Sequence, residues 1–465
     1  MTIIRKKITL PRIVISSIKG KTGKTLVTVS LLKALSKEGY KVSAFKNGPD
    51  FIDPTYHKAV TGQYSRNLDF FLMGDTVTKL FYQQSKGSDI ALIEGNHGLY
   101  DSIDGISETG STAQLAKLLG APVLLVIDGE RINRTAGAIL RGLVQFDHKV
   151  KIIGVVLTNI IPRQYNKMRE VIEEEGVPVI GVIYRNRDIT DIFHYRHLGL
   201  QPVTEMGPSY DFQTTLNKLP PESFQTNRIM KLAKSESEDI DVWVEGSEKK
   251  SKAKPNLKFG IMGGKSFTFY YPETIEKASL YGTVRFINPE EDNELPNLDV
   301  LIIGGGFPEV YAQHLEKNKS FRNSVWSFGD NGGIIYAECG GLIYLTDSVT
   351  FKGEEHDLVG LINGRTQMND QPVAHGYSIA RVLKDNLISH KGDTLKGHEF
   401  HYSKISLKEK YEFNLSHEKG TGIEGKFDGI QVKNTFAQYA HLHPAVHDFV
   451  KAISQKFATK ETLEK

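Results

Sequence analysis

Between residues 11 and 205 the chain alternates short runs that are apolar on both faces with longer amphipathic stretches. The runs are "RIVISSI", "KVSAF", "DIALIEG", "PVLLVID", "KIIGVVLTN" and "PVIGVIY". The stretch after the first run has apolar residues at helical spacing, Val27, Leu31, Leu32 and Leu35. Doubly apolar strands separated by helix-length segments predict a parallel sheet covered by helices. From 222 to 256 the pattern breaks. "SESEDIDVWVEGSEKKSKAKPN" is charged, poor in apolar residues and ends at a proline, so it reads as a linker preceded by one helix. A second alternation starts at "LKFGIMGG" and runs through "LDVLIIGGGFPE" and "GGIIYAECGGLIYL". The expectation is two α/β domains, 1–222 and 257–465, joined by a charged linker over 223–256.

A length of 465 residues agrees, since one hydrophobic core rarely serves so long a chain. The 58 basic and 55 acidic residues nearly cancel, which removes any bulk electrostatic argument for nucleic acid or membrane as a partner. The longest apolar runs are strand-length and too short to span a bilayer. "MTIIRKKITLPR" is basic but lacks the apolar core and cleavage site of a signal peptide, so the expectation is an unprocessed, cytoplasmic protein. A single cysteine excludes an internal disulfide and fits a reducing compartment.

That first amphipathic stretch opens with Gly23-Lys24-Thr25. A loop of the form G-x-x-x-x-G-K-[ST] would begin with glycine at 18, where Ile18 stands. The loop reads "KGKTGKT" instead, with Lys19 and Gly20 at its start, and resembles the variant loop of partition and nitrogenase-iron-protein ATPases. Backbone N–H groups and the helix N-terminus would cradle phosphate, Lys24 would reach the β/γ-phosphates of ATP, and the Thr25 hydroxyl would ligate Mg²⁺. Asp50 and Asp53 follow one strand; Glu94 and Asp101 follow another. Acids at adjacent strand tips beside such a loop suit Mg²⁺, directly or through water. Any one of them reads equally well as a helix cap; together they favour the metal, Glu94 most strongly.

In the second alternation, Cys339 stands between a strand and a Gly-Gly opening to a helix, the layout of a nucleophile elbow. A thiol at a helix N-terminus is biased toward thiolate. The N–H of Gly340, with that of Gly305 or Gly306 in "GGGFPE", would form an oxyanion hole. The base is expected in "FAQYAHLHP", where His441 and His443 both qualify. The plainer reading, a buried structural cysteine, leaves "ECGG" and the late histidine pair unused. His398 and His401 in "GHEFHYS" suit substrate contact or structural hydrogen bonding equally.

At these residues the chain resembles the cobyrinic acid a,c-diamide synthase family, through "FKNGPDFIDPTYH", "SRNLDFF", "IEGNHGLYD", "GSTAQLAKLLGAPVLLV", "RHLGL", "SFTFYYPETIE", "IIGGGFPEVYA", "YAECGGLIYLT" and "KGHEFHYS". The resemblance implies a dethiobiotin-synthetase-like ATP-binding amidoligase domain and a C-terminal class I glutaminase domain. It also implies that Cys339 hydrolyses glutamine with His441 as base. Ammonia then displaces phosphate from an acyl phosphate made by a tetrapyrrole carboxylate and ATP. Asp50, Asp53, Glu94 and Asp101 fall on acids that hold metal and arrange substrate and phosphate. His443 stands where class I glutaminases often carry the glutamate of their triad. Departures from the family pattern are the phosphate loop, Phe51 in place of a tyrosine, and "EGNHGLYDS" with Asn96, His97 and Ser102. They bear on which tetrapyrrole is amidated: cobyrinic acid leads, followed by siroheme and nickel-sirohydrochlorin. Lys19 keeps a homodimer among the expected assemblies. A MinD-type regulatory ATPase, the reading from another class, has no use for Cys339.

Overall fold

The computed structural model describes residues 3–186, 195–196, 199–206, 214, 217–218, 223–245 and 256–463. The chain divides into two units, Met1–Lys250 and Ser251–Lys465.

All six runs of the first unit become strands of one sheet. Its order is Arg66–Leu68, Val42–Asn47, Ile90–Glu94, Arg12–Ser17, Val123–Asp128, Ile152–Ile160, Val179–Tyr184. Every pairing is parallel. Arg12–Ser17, Val42–Asn47 and Ile90–Glu94 are buried at every position, which is why they read as continuous rather than alternating apolar runs. Helix Lys24–Lys37 covers one face through Val27, Leu31, Leu32 and Leu35, which pack on Ile13, Ile15 and Val126. The chain first crosses to one side of Arg12–Ser17 and later to the other, so the order reverses there and a crevice opens at the strands' C-terminal ends.

The stretch expected as linker is, through Glu245, part of this unit. Helix Thr226–Glu236 buries Ile229 and Ala233 in the core, and strand Ile240–Glu245 pairs antiparallel with Ile3–Ile8. Its charges misled the composition argument because they are used across the ribbon, Arg5 with Asp241 and Lys7 with Asp239. Residues 246–255, the expected boundary at 222, and His197 and Leu198 of "RHLGL" lie outside the described residues.

Arg12 locks this closing segment in place. Fully buried, it donates to the carbonyls of Leu119, Leu10 and Glu238, and burial lowers its pKa to about 10. Arg12→Met removes three donors from buried carbonyls and is expected to destabilise the first unit by about 3 kcal/mol. A fall in its urea midpoint at unchanged m-value checks this; an unchanged midpoint would refute it.

The second unit holds a ten-stranded mixed sheet. A parallel part, in the order Gly282–Ile287, Leu257–Met262, Val300–Ile303, Ile334–Glu338, Thr435–Gln438, carries the nucleophile strand. It continues antiparallel through Phe427–Val432, Phe413–Lys419, Ala374–Val382, Thr394–His401 and His441–Leu442. Leu301, Ile303, Ile335, Ala337, Leu342 and Ile343 form the core behind Cys339. Among the described residues no helix is long and apolar enough to cross a membrane.

Candidate functional site

In the first unit the phosphate loop bridges strand Arg12–Ser17 and helix Lys24–Lys37. Gly23 caps that helix at φ 90°, a left-handed conformation that glycine adopts without strain. The loop folds on itself: the hydroxyls of Ser17 and Thr22 donate to the Lys19 carbonyl at 2.7 and 3.2 Å. The Lys19 side chain and Gly20 are exposed. Buried Lys24 donates to Ser17 Oγ at 3.0 Å, the Lys19 carbonyl at 3.3 Å and the His97 carbonyl at 2.7 Å. Burial and the nearby Lys46 charge push its pKa down to about 8, against the pull of Glu94, Asp53 and Asp101.

Three of the four expected acids meet at one point, around a residue the sequence reading did not single out. Lys46, 2% exposed, lies 2.5 Å from Asp53 Oδ2, 3.3 Å from Glu94 Oε1 and 3.7 Å from Asp50 Oδ2. Glu94 also accepts from the Thr25 hydroxyl at 2.7 Å, and its second oxygen lies 2.7 Å from His57 Nε2. His57 is fixed in turn by Ser65 at 2.9 Å. Burial opposes Glu94's charge, but Lys46 and His57 hold its carboxyl well below the usual range. The cluster's carboxylates hold Lys46 protonated despite its burial. Burial, Asp50 and Glu94 push the Asp53 carboxyl up, which Lys46 only partly opposes. Hydroxyl and carboxylate oxygens are the hard donors that Mg²⁺ takes, and Thr25, Asp50 and Glu94, with Asp53 beside them, are the residues that would hold it.

Asp50 additionally caps the turn into helix Asp53–Thr61, accepting from the N–H groups of Ile52 and Asp53. Asp101 stands apart. Its carboxylate accepts from Gly98 N at 2.7 Å and shapes the 95–101 turn, which docks on the loop through Leu99 N and the Ser17 carbonyl. Of the family departures, Asn96 and His97 line the cavity beside the loop, whereas Ser102 caps a surface turn by accepting from Gly105 N. That cavity measures about 360 Å³ and extends from the loop and acids to Asp128, Thr158, Asn159 and Arg185. Asn159, with φ 57°, joins Asp128 at 3.1 Å to Arg185 at 2.8 Å. These distal residues were also missed; like the acids, Asn159 closes a strand at its C-terminal end.

In the second unit Cys339 has φ 48° and ψ −102°, a strained conformation for a residue with a side chain, at the turn from strand Ile334–Glu338 into helix Gly340–Leu345. Tight packing enforces the turn: a Cβ on Gly341 would lie 2.4 Å from the Ile303 carbonyl. The helix has only six residues, so it offers its terminal N–H groups and little macrodipole. The expected oxyanion glycines gather here. A Cβ on Gly340 would lie 3.0 Å from Gly306 N, and one on Gly305 would lie 2.4 Å from His441 Cε1.

The two late histidines separate. Burial lowers the pKa of His441, but the charge and hydrogen bond of Cys339, together with Glu338, raise it to about 10. His443 instead packs its ring on Tyr271 at 4.2 Å and accepts from Ala445 N. His398 stacks on His441 at 4.9 Å, and burial with the neighbouring histidines drives its pKa well down. His401 stacks on Tyr439 at 3.7 Å, and burial lowers its pKa to about 4. Behind them, His417 Nε2 lies 3.3 Å from Asp428 Oδ2 and 3.4 Å from Glu399 Oε1. Asp428 also accepts from Tyr439 N and Ala440 N, which fastens the segment leading into His441.

A phosphate loop backed by a charged acid cluster, and a strained thiol paired with a buried histidine, define a glutamine-hydrolysing amidoligase. The chain matches the CobQ/CobB/MinD/ParA nucleotide binding domain over residues 13–196 and the CobB/CobQ-like glutamine amidotransferase domain over 258–449. It is 39% identical over 459 residues to a cobyrinate a,c-diamide synthase of Archaeoglobus fulgidus, covering 98% of both chains. It is 36% identical to one of Listeria innocua, covering 93% of this chain and 96% of that one. The structure of PurLQS from Thermotoga maritima aligns with a TM-score of 0.34 at 12% identity, over 44% of this chain and all of that one. The chain belongs to the cobyrinate a,c-diamide synthase family.

Proposed function

We propose that this chain amidates acetate carboxylates of a tetrapyrrole, the a and c side chains of cobyrinic acid, using ATP and glutamine. The observation that carries this reading is the Thr25–Glu94–Lys46–Asp53 cluster beside the phosphate loop, in a chain aligned end to end with cobyrinate a,c-diamide synthases. A carboxylate is a poor electrophile but an ionised nucleophile that needs no general base. The synthetase site therefore has to supply positioning and charge neutralisation, and its side chains supply those.

In the glutaminase half, the Cys339 thiolate attacks the glutamine amide. His441 gives its proton to the departing ammonia, and water releases glutamate from the thioester. N–H groups of Gly340 and of Gly305 or Gly306 receive the developing oxyanion. In the synthetase half, a substrate carboxylate attacks the γ-phosphorus of ATP and ADP leaves. Ammonia then displaces phosphate from the acyl phosphate, leaving the amide. Lys24 and Lys46 neutralise the transferring phosphoryl oxygens, and His57 orients Glu94. Mg²⁺ bound by Thr25, Asp50 and Glu94, with Asp53 beside them, would add further charge neutralisation at the phosphates.

Mass spectrometry of products from purified chain with Mg-ATP and glutamine tests the reading, with cobyrinic acid, siroheme and nickel-sirohydrochlorin offered separately. Two amidations of cobyrinic acid are expected. Conversion of siroheme or nickel-sirohydrochlorin alone would mean that Asn96 and His97, which line the cavity, mark a change of substrate. ATP hydrolysis with no macrocycle converted would refute the reading.

A further inference from the structure

We infer that Glu338, the residue immediately before Cys339, is the carboxylate that orients His441, so the third member of the site comes from the nucleophile's own strand. Glu338 closes strand Ile334–Glu338 and is 7% exposed. Its Oε2 lies 3.5 Å from His441 Nδ1. Its Oε1 accepts from the Tyr336 hydroxyl at 2.5 Å and from Leu442 N at 3.0 Å. Tyr336 and Glu338 are two residues apart on a strand, so their side chains share a face. The same carboxylate therefore meets the ring of His441 and the backbone just after it, and it is pinned from two sides while doing so. The position two residues after His441 supplies no carboxylate: it is His443, packed on Tyr271.

A contact of 3.5 Å is longer than a tight hydrogen bond, yet in a buried site one charge still acts strongly on another at that range. An anion on the Nδ1 side places a proton there, leaves Nε2 for exchange with the thiol, and stabilises the imidazolium. Both Cys339 and Glu338 raise the pKa of His441. Glu338 is thus a positioning residue that acts through His441.

Cys339 is the only cysteine in the chain, so alkylation by iodoacetamide reports on it alone. In the full chain, Glu338→Gln is expected to lower glutaminase kcat by about 10²-fold with KM within about threefold. Without the anion His441 loses its proton at lower pH. The alkaline limb of the glutaminase profile should therefore move down by about one unit or more, and the rise of alkylation with pH should move up, because the thiolate loses the support of its imidazolium partner. In a His441→Ala background the same change should alter alkylation by less than about twofold, as a residue acting through His441 requires. Wild-type kcat and profile in Glu338→Gln would overturn the assignment. So would an alkylation effect that persists undiminished in His441→Ala. Should the glutamine variant fail to fold by circular dichroism, Glu338→Asp carries the test: charge kept and reach lost predict a kcat loss of about tenfold with the alkaline limb unmoved. Unchanged kcat in that variant would overturn the assignment. The inference rests on the glutaminase reading, but the two fail separately. Alkylation that shifts as expected in a chain hydrolysing no glutamine would sink the glutaminase and leave Glu338 in place.

Discussion

Cys339→Ala is expected to abolish glutamine-supported amidation, by on the order of 10³-fold or more, and to leave ammonia-supported amidation within about twofold of the parent chain. The asymmetry follows from where the thiol acts on the proposed route. Breaking the glutamine amide needs a nucleophile, and no other side chain of this chain is a thiol. On that route free ammonia would enter after this step and meet the acyl phosphate directly. The alanine has no strong packing argument against it, since the side chain sits in a turn set by Gly340, Gly341 and the Ile303 carbonyl. Product formation from ammonium chloride and from glutamine, measured in parallel, gives the answer. Equal loss with both nitrogen sources would mean that Cys339 supports structure rather than chemistry.

Lys46→Met is expected to do the reverse: amidation falls by on the order of 10²–10³-fold with either nitrogen source, while glutamine hydrolysis measured alone persists. Lys46 is the buried cation among Asp50, Asp53 and Glu94. Its loss leaves three carboxylates without the cation between them, and on the proposed route the phosphoryl group of ATP would bring more negative charge there. The acids are then driven toward taking up protons, which weakens Glu94 as the acceptor of the Thr25 hydroxyl and, on the proposed route, as a ligand for Mg²⁺. Wild-type rates in the methionine variant would remove Lys46 from the reaction.

Lys46 also marks where sequence reasoning stopped. The six buried runs and the elbow at Cys339 were legible because each rests on a local pattern: period, glycine placement, strand followed by loop and helix. The acids were legible through their position at strand tips. Lys46 stands at the same tips, inside "AFKNGPD", yet a lysine in a loop-proximal segment reads as solvated until the fold shows it buried. His441 and His443 could not be parted by spacing, because two residues apart on a strand share one face. The strand ends at Leu442, the chain turns, and only His441 stays with Cys339. Glu338 gave no signal of its own, since its partner is 103 positions away and only the folded chain brings the two together. The linker was misread for a related reason. Asp239 and Asp241 look like solvent-facing charge, and their partners lie at the other end of the unit.

That last pairing sets a timetable. Strand Ile3–Ile8 is made first and finds its mate only at Ile240–Glu245, with Arg5 and Asp241 separated by 236 residues. At translation rates of about 5–20 residues per second, the leading strand waits roughly ten to fifty seconds with its edge unpaired. It carries Arg5, Lys6 and Lys7 in that interval, and a run of positive charge is what keeps a lone strand edge from joining the wrong neighbour.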